Sequence, residues 1–316
     1  HLGDWDGNGN GGRGGEMSSV VPVVLFAYRR PDLLARTLES LRVNRVPLLC
    51  AFSDGPRDAS VEADVAEVRR LLRHVDWTRM ILVEQAANLG VGESELAGIS
   101  RVLAEHEEVV SVEEDLEFGP GTYAYVCAAL ARYRDDPRVM GVTAWNHPRV
   151  TPDDVVTDPY FCGRMSGLMW GTWRRAWAGV TEHPAADFAA MCRARGVDPT
   201  RYGDDLRDSV VHAEEYGMWD LRFNLHMLAQ GGLFLWPARS MVAHTGYDPR
   251  ATNSPNVAGW ADAPAPAPPV ESVRWPEVVE QPGSAALWRR AVNAPPRPSL
   301  LVRAWRRLAR LRRPRL

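Results

Sequence analysis

The feature that most narrows the fold is an alternation. Four short apolar runs, at residues 20–26 (Val-Val-Pro-Val-Val-Leu-Phe), 48–52, 80–83 and 109–112, are separated by stretches whose apolar positions recur with a helical period. Leu34, Thr37, Leu38 and Leu41 follow the first run, Val61, Val65, Val68 and Leu72 the second, and Leu96, Ile99 and Leu103 the third. Pro31 suits the first position of a helix, where its missing N–H costs nothing. Strands and amphipathic helices at this spacing predict right-handed βαβ units: a mainly parallel central sheet flanked by helices, with strands apolar on both faces. A helix over 120–134, a strand over 139–144, a helix over 216–228 and strands over 233–236 and from Met241 continue the pattern. Between them, residues 161–177 are dense in Gly, Met, Trp and Arg, which fits a substrate-facing loop and helix or, equally, a packed aromatic core.

Acids stand where the runs end. Ser53-Asp54-Gly55-Pro56 follows the second, and Glu113-Glu114-Asp115 the fourth. In an open α/β sheet, ligands bind outside the carboxyl ends of the strands. Carboxylates delivered there suit a hard cation such as Mn²⁺ or Mg²⁺, which takes one or two protein oxygens and fills its remaining positions with phosphate and water. A solvated turn is the plain alternative for the three acids.

Composition excludes several chemistries. The 316 residues are 45% hydrophobic and 24% charged, ordinary for a globular protein. The net charge of −3 conceals an acidic body and a basic end, since the last fourteen residues hold seven arginines. Lysine is absent, which removes Schiff-base chemistry, covalent pyridoxal phosphate and a Walker-type phosphate loop. Four cysteines without Cys-x-x-Cys spacing read as reduced core thiols, hence a cytoplasmic setting. No apolar run reaches the roughly 18 to 20 residues that cross a bilayer. Residues 1–16 lack the pattern of a signal peptide, and Met17 is a candidate start. Ala261 to Pro269 reads as a semi-rigid linker. Over 301–316, Leu301, Ala304, Trp305, Leu308 and Leu311 share one helical face and Arg303, Arg306, Arg307 and Arg310 the other, which suits peripheral contact with an anionic membrane, here the inner face. Nothing points to nucleic acid.

Tyr28-Arg29-Arg30-Pro31-Asp32, Ser53-Asp54-Gly55-Pro56-Arg57, Asn88-Leu89-Gly90, Glu113-Glu114-Asp115 and the block Met169-Trp170-Gly171-Thr172-Trp173-Arg174-Arg175-Ala176-Trp177, with Trp219-Asp220 and Ala243-His244-Thr245-Gly246 after them, resemble bacterial glycosyltransferases of the family 2 type. The resemblance spans roughly residues 20 to 282 and implies the GT-A nucleotide-diphosphosugar fold. A more distant similarity, through the acid triplet and Thr143-Ala144-Trp145-Asn146, is to the N-acetylglucosaminyltransferases of N-glycans. These likenesses imply Asp115 as metal ligand, Glu113 and Glu114 near ribose and donor sugar, Asp54 and Asn88 at the nucleotide, Arg30 at the diphosphate and Asp220 as base. Trp170 is a candidate to stack on a sugar face, with core packing as the favoured alternative. Glu214, Glu215, Asp204 and Asp205 are the alternative bases. Glu114 stands where Asp is usual; His244, a candidate second metal ligand, replaces Asn, and Asn253 replaces His.

The sequence thus predicts a disordered segment over 1–19, a GT-A glycosyltransferase domain over 20–258, a Pro/Ala-rich linker and closing segment over 259–282, and a basic amphipathic tail over 283–316. Its expected activity is metal-dependent, inverting transfer of a hexosyl or N-acetylhexosaminyl group from a UDP-, GDP- or dTDP-sugar to a hydroxyl of a glycan, a lipid-linked acceptor or a small molecule. A non-catalytic sugar-binding descendant is the alternative. A sugar nucleotidyltransferase is disfavoured, because such enzymes resemble one another in a Gly-rich loop with essential lysines.

Overall fold

The computed structural model describes residues 20–248, 250, 260, 264–270 and 272–293. Its first half follows the predicted alternation: β1 (Val23–Ala27), α1 (Pro31–Val43), β2 (Leu48–Ser53), α2 (Glu62–Arg73), β3 (Arg79–Glu84), α3 (Val91–Glu105) and β4 (Glu108–Glu113). All five residues of β1 and all six of β2 are buried, as apolar strands covered on both faces must be. Pro31 opens α1, and Leu33, Leu34, Leu38 and Leu41 form its buried stripe.

The remaining elements are β5 (Leu116–Phe118), α4 (Thr122–Tyr133), β6 (Val139–Thr143), β7 (Tyr160–Cys162), β8 (Trp170–Trp173), α5 (Arg174–Trp177), α6 (Ala185–Ala194), α7 (Asp205–Asp208), α8 (Trp219–Ala229), β9 (Leu233–Trp236), β10 (Val242–His244) and α9 (Ser284–Asn293). Eight strands form one sheet in the order β3-β2-β1-β4-β8-β6-β9-β7, and β5 pairs with β10 in a separate two-stranded ladder. From β3 to β4 every pairing is parallel. β8 then runs antiparallel to both neighbours, β6 and β9 are parallel, and β7 closes the edge antiparallel. The sheet is therefore α/β in class and mixed in direction beyond β4.

The connection reverses at β1. β2 and β3 extend the sheet to one side and β4 to the other; α1 packs on α2, whereas α3 packs on α5 and α8. A crevice opens at such a switch point, at the carboxyl ends of the strands. The register aligns Phe26 with both Phe52 and Glu113, so Ala27, Ser53 and Glu114 stand at one level, with Tyr28, Asp54 and Asp115 the next residues out.

Residues 161–177 form the second half of the core, not a substrate-facing loop and helix. β7 and β8 lie within this stretch, and Trp170 is 0% exposed. Its indole stacks on Trp219 at 5.5 Å between ring centroids and meets Phe223 at 5.2 Å. Rings of this kind bury on the order of 200 Å² each. The neighbouring arginines tie down backbone: Arg174 donates to Leu103 O at 2.6 Å, and Arg175 to the carbonyls of Tyr133, Arg134 and Val139.

Residues assigned by sequence to linker and tail are partly docked. Ala267 N donates to Ser240 O at 2.8 Å, Trp275 meets the Tyr125 and Tyr133 rings, and Gln281 N donates to Phe161 O. On α9, Trp288 is buried between Trp236 and Trp260, with centroids at 5.2 and 5.6 Å. An aromatic residue on the helix's apolar side explains the docking. Residues 1–19, Asn253 and the basic stretch 301–316 lie outside the described residues. Among those described, no helix is long and apolar enough to cross a membrane, and the four cysteines are free.

Candidate active site

A cleft of about 440 Å³ opens at the switch point. Its walls come from the ends of β1, β2 and β4, the 88–95 stretch entering α3, the turn before α8, and the residues around β10. Arg30, Asp54, Asn88, Glu113, Glu114, Asp115 and His244 all line it, so seven of the nine residues singled out by sequence converge.

The acid triplet is placed by two ladders. β4 delivers Glu113, and the chain then enters β5, whose antiparallel pairing with β10 sets His244 opposite Leu116. That register puts His244 Nε2 3.2 Å from Asp115 Oδ2. Arg30 arrives from the end of β1 and places Nη2 2.5 Å from the same oxygen, Nε 3.2 Å from Glu114 Oε1, and Nη1 3.2 Å from Gly246 O. Glycine is required at 246, since a Cβ there would fall on Asp115 Oδ2 and stand 2.9 Å from His244 Nε2.

Electrostatics follow from this packing. Burial alone would raise Asp115, but His244 and Arg30 outweigh it and hold the carboxyl below its usual range. The same contacts reverse the effect of burial on His244 and Arg30 and hold both above their ordinary values. Glu113 makes no ion pair among the described residues: burial and then the Asp115 charge outweigh the pull of His244 and Arg30 and push it up to about 7. Glu114 is raised by burial.

Two expected donor contacts turn out to be occupied in holding loops. Glu114 Oε2 accepts the Tyr28 N–H at 2.6 Å while Oε1 meets Arg30, so the longer arm found in place of aspartate grips the β1–α1 turn. Asp54 accepts four hydrogen bonds, from the N–H groups of Gly55 and Leu89 on Oδ1, at 2.8 Å each, and from Gly90 N–H and Asn88 Nδ2 on Oδ2, at 3.0 and 2.9 Å. A carboxylate offers about four such positions, so Asp54 is filled. Asn88 also donates to Gly55 O, closing the loop on itself.

Asp220 sits at the first turn of α8, where it accepts Leu221 N–H at 2.9 Å. One side of it is open to solvent, yet the surrounding protein pushes its carboxyl up. It is not on the cleft wall itself, although its charge reaches Glu113 and Glu95. Of the alternative bases, Glu214 and Glu215 do line the cleft, Glu214 paired with Arg222 and accepting from Ala185 N; Asp205 and Asp204 are off the wall, paired with Arg164 and with Asn293 and Arg289. Glu215 faces His212 at 3.5 Å. Trp170 is the clear correction. It lies wholly in the core under α8 and cannot reach a sugar.

The residues that sequence reasoning passed over are Glu95 and Tyr216, both on the cleft wall. Tyr216 is 63% exposed at its lip. Glu95 carried a usable signal, a charge one turn before Ile99 on the buried stripe of α3.

Whether a divalent cation fits can be read from Asp115. Its Oδ1 is buried and without a hydrogen-bond partner, an oxygen of the kind a hard cation takes. His244 fits less well, because the pull of Asp115 toward the protonated imidazole opposes metal binding. Among the described residues, no group of three or more His, Cys, Asp or Glu side chains is arranged around a common metal position. A cation here would lean on Asp115 and take its other ligands from phosphate and water.

No protein-family model matches the chain. In sequence it is similar to the Arabidopsis thaliana alpha-1,3-mannosyl-glycoprotein 2-beta-N-acetylglucosaminyltransferase, 25% identical over 179 residues that cover 52% of this chain and 40% of that one. The match thus spans well under half of the plant protein. Among solved structures, the Pyrobaculum calidifontis mannosyltransferase PcManGT, in complex with GDP-Man and Mn²⁺, aligns with a TM-score of 0.36 at 18% identity over 57% of this chain and 48% of that one. S. aureus TarS 1-349 aligns with a TM-score of 0.42 at 11% identity over 72% and 61%. Likenesses this loose assign no residues. The sequence match therefore gives a distant relationship to a glycosyltransferase of plant origin, without support for a bacterial assignment.

Proposed function

We propose that this chain is a glycosyltransferase that moves a sugar from a nucleoside-diphosphate donor to a hydroxyl group, with inversion at the anomeric carbon and with help from a divalent cation. The observation that carries the reading is the pairing of Arg30 with Glu114 and Asp115, with Glu113 on the same wall, at the sheet's switch point in a cleft of about 440 Å³. That volume is within the usual range for small-molecule sites. The distant N-acetylglucosaminyltransferase relative points the same way.

Acids on the cleft wall far outnumber its two arginines, Arg30 and Arg57. A diphosphate entering such a cleft needs added positive charge. Asp115 would hold a divalent cation such as Mn²⁺ or Mg²⁺, which when bound would supply that charge to the leaving diphosphate. Arg30 is already aimed at the same point and can turn from Asp115 to the diphosphate oxygens. Asp54 and Asn88 shape the loop that walls the nucleotide end.

In the reaction, the bond from the anomeric carbon to the diphosphate oxygen breaks and the electron pair leaves with the nucleotide. The acceptor oxygen attacks from the opposite side and its proton passes to Asp220. The transition state has oxocarbenium character. An Asp220 held above the ordinary carboxylate range is a stronger base than a free aspartate. The acceptor is a hydroxyl on a glycan, a lipid-linked glycan or a small molecule, and the arginine-rich end of the chain supports peripheral membrane contact.

A second reading, a nucleotide-sugar-binding protein without turnover, is favoured by one observation: Asp115 Oδ2 is committed to Arg30 and His244. A panel of UDP-, GDP- and dTDP-sugars, with Mn²⁺ or a chelator, separates the two. Metal-dependent release of nucleoside diphosphate from one donor, with an inverted product by proton NMR, supports transfer. Binding without release supports the second reading.

A further inference from the structure

Gly92 and Gly217 bring α3 and α8 together. A Cβ on Gly92 would stand 2.5 Å from Gly217 Cα, so only glycine lets the start of α3 press against the turn that leads into α8. This close approach seals the next inward side chain, Glu95, between α3, β4 and the entry to α8.

Glu95 is 0% exposed and lies in the cleft wall. Its Oε2 is 3.4 Å from Ser111 Oγ, a weak contact, and its Oε1 is buried with no partner. No arginine pairs with it among the described residues. The charged groups facing it are acids, Glu113 from β4 and Asp220 from α8. Burial and then these charges raise its carboxyl well above the ordinary range. An ionised carboxylate without a partner is too costly to bury, so the group sits there as a neutral acid, with an O–H to donate. Ser111 and Glu113 are two residues apart on β4 and therefore point to the same face. Glu113 is thus the next side chain along the face of β4 that Glu95 meets at Ser111, and of the charged groups acting on Glu95 it is the strongest.

We propose that Glu95 is a positioning residue: a neutral carboxylic acid that donates its hydrogen to Glu113 and holds that carboxylate toward the donor sugar. Nothing in the recognised motifs assigns it this part. It orders a neighbour whose own strand-end position leaves it without an ion pair, and it does so without adding charge to an acidic cleft. Its effect falls on turnover, because it aligns a group at the sugar and makes no contact with the nucleotide.

The inference rests on the transferase reading, so its test has one arm independent of activity. The wild-type protein and Glu95→Gln are compared by difference infrared spectroscopy at neutral pH. A protonated-carboxyl C=O component in the difference between wild type and Glu95→Gln is expected; if that difference contains none, the proposal fails whether or not the protein turns over a donor. The second arm is donor hydrolysis on the sugar nucleotide that the wild type consumes. Glu95→Gln, which keeps a neutral donor, holds kcat within about threefold, while Glu95→Leu, which has none, loses about tenfold to a hundredfold in kcat at unchanged donor KM. A circular-dichroism melt and a nucleotide-binding titration confirm that Glu95→Leu is folded. Equal activity of Glu95→Leu and wild type would reduce Glu95 to packing, and equal loss in both variants would show that an ionised carboxylate is needed; either result overturns the proposal. Absence of turnover in the wild type itself, with the infrared band present, would count against the transferase reading and leave the neutral acid standing.

Discussion

Replacing Asp54 by asparagine changes a single heavy atom, yet the structure predicts a large cost. The carboxylate accepts four hydrogen bonds, two on each oxygen, three of them from backbone N–H groups. An amide keeps one oxygen, and its NH₂ then confronts two donors. Hydrogen bonds to a charged acceptor contribute about 1.5–3 kcal/mol each, so two lost bonds amount to about 3–6 kcal/mol. Asn88 and Leu89 are exposed, and water can take up part of the deficit, which brings the expected loss to about 2–4 kcal/mol. Chemical denaturation measures this directly, and hydrogen exchange at Leu89 and Gly90 locates it. The expected result is a lower unfolding free energy with faster exchange in the 88–90 loop. If Asp54→Asn is as stable as the wild type and differs only in nucleotide affinity, Asp54 is a direct nucleotide contact and the loop-holding argument is wrong.

Other substitutions separate site from scaffold. Gly246→Ala drives a Cβ onto Asp115 Oδ2; about a tenfold or greater loss of metal-dependent nucleotide affinity is expected in calorimetry, with the melting temperature little changed. Trp170→Phe leaves a void among Trp219, Phe223 and Trp177; it is expected to cost about 1–3 kcal/mol in denaturation and to leave donor KM untouched. Asp220→Asn is expected to lower donor turnover by about 10² to 10⁴, with nucleotide binding retained, in a steady-state assay. For Glu95 the pH dependence has a definite sign. Its folded carboxyl is raised, so the folded state holds the proton after the unfolded chain has released it, and stability falls as pH rises above the unfolded value of about 4.3 until the folded group itself ionises. Glu95→Gln removes that loss, so denaturation curves should show variant and wild type alike in acid and the variant gaining on the wild type toward neutral pH.

Much of the first half was legible because its physics is local. Apolar runs buried on both faces and helices with one apolar stripe leave few arrangements, and β1 to β4 fell within a residue or three of their expected limits. Acids at strand ends were likewise readable as convergent, because the strands that deliver them are parallel and in register. The second half was less readable. β7 and β8 are short, their partners are distant in sequence, and a Gly-Trp-Arg composition does not distinguish a strand lined by indoles from a ligand loop. For Trp170 the deciding fact, its place under Trp219 and Phe223, is tertiary. Residue identity at the site could also not reveal saturation. An aspartate after a strand has the same letter whether its oxygens face a nucleotide or four neighbouring donors.

The most direct test of the central claim is calorimetric titration of UDP and GDP into the wild-type protein and Asp115→Ala, each with Mn²⁺ and with a chelator. The account predicts binding of one nucleoside diphosphate that needs Mn²⁺ and is lost in Asp115→Ala, while the variant keeps its fold by circular dichroism. Nucleotide binding that ignores both the metal and Asp115, or no binding by the folded wild type, would contradict it.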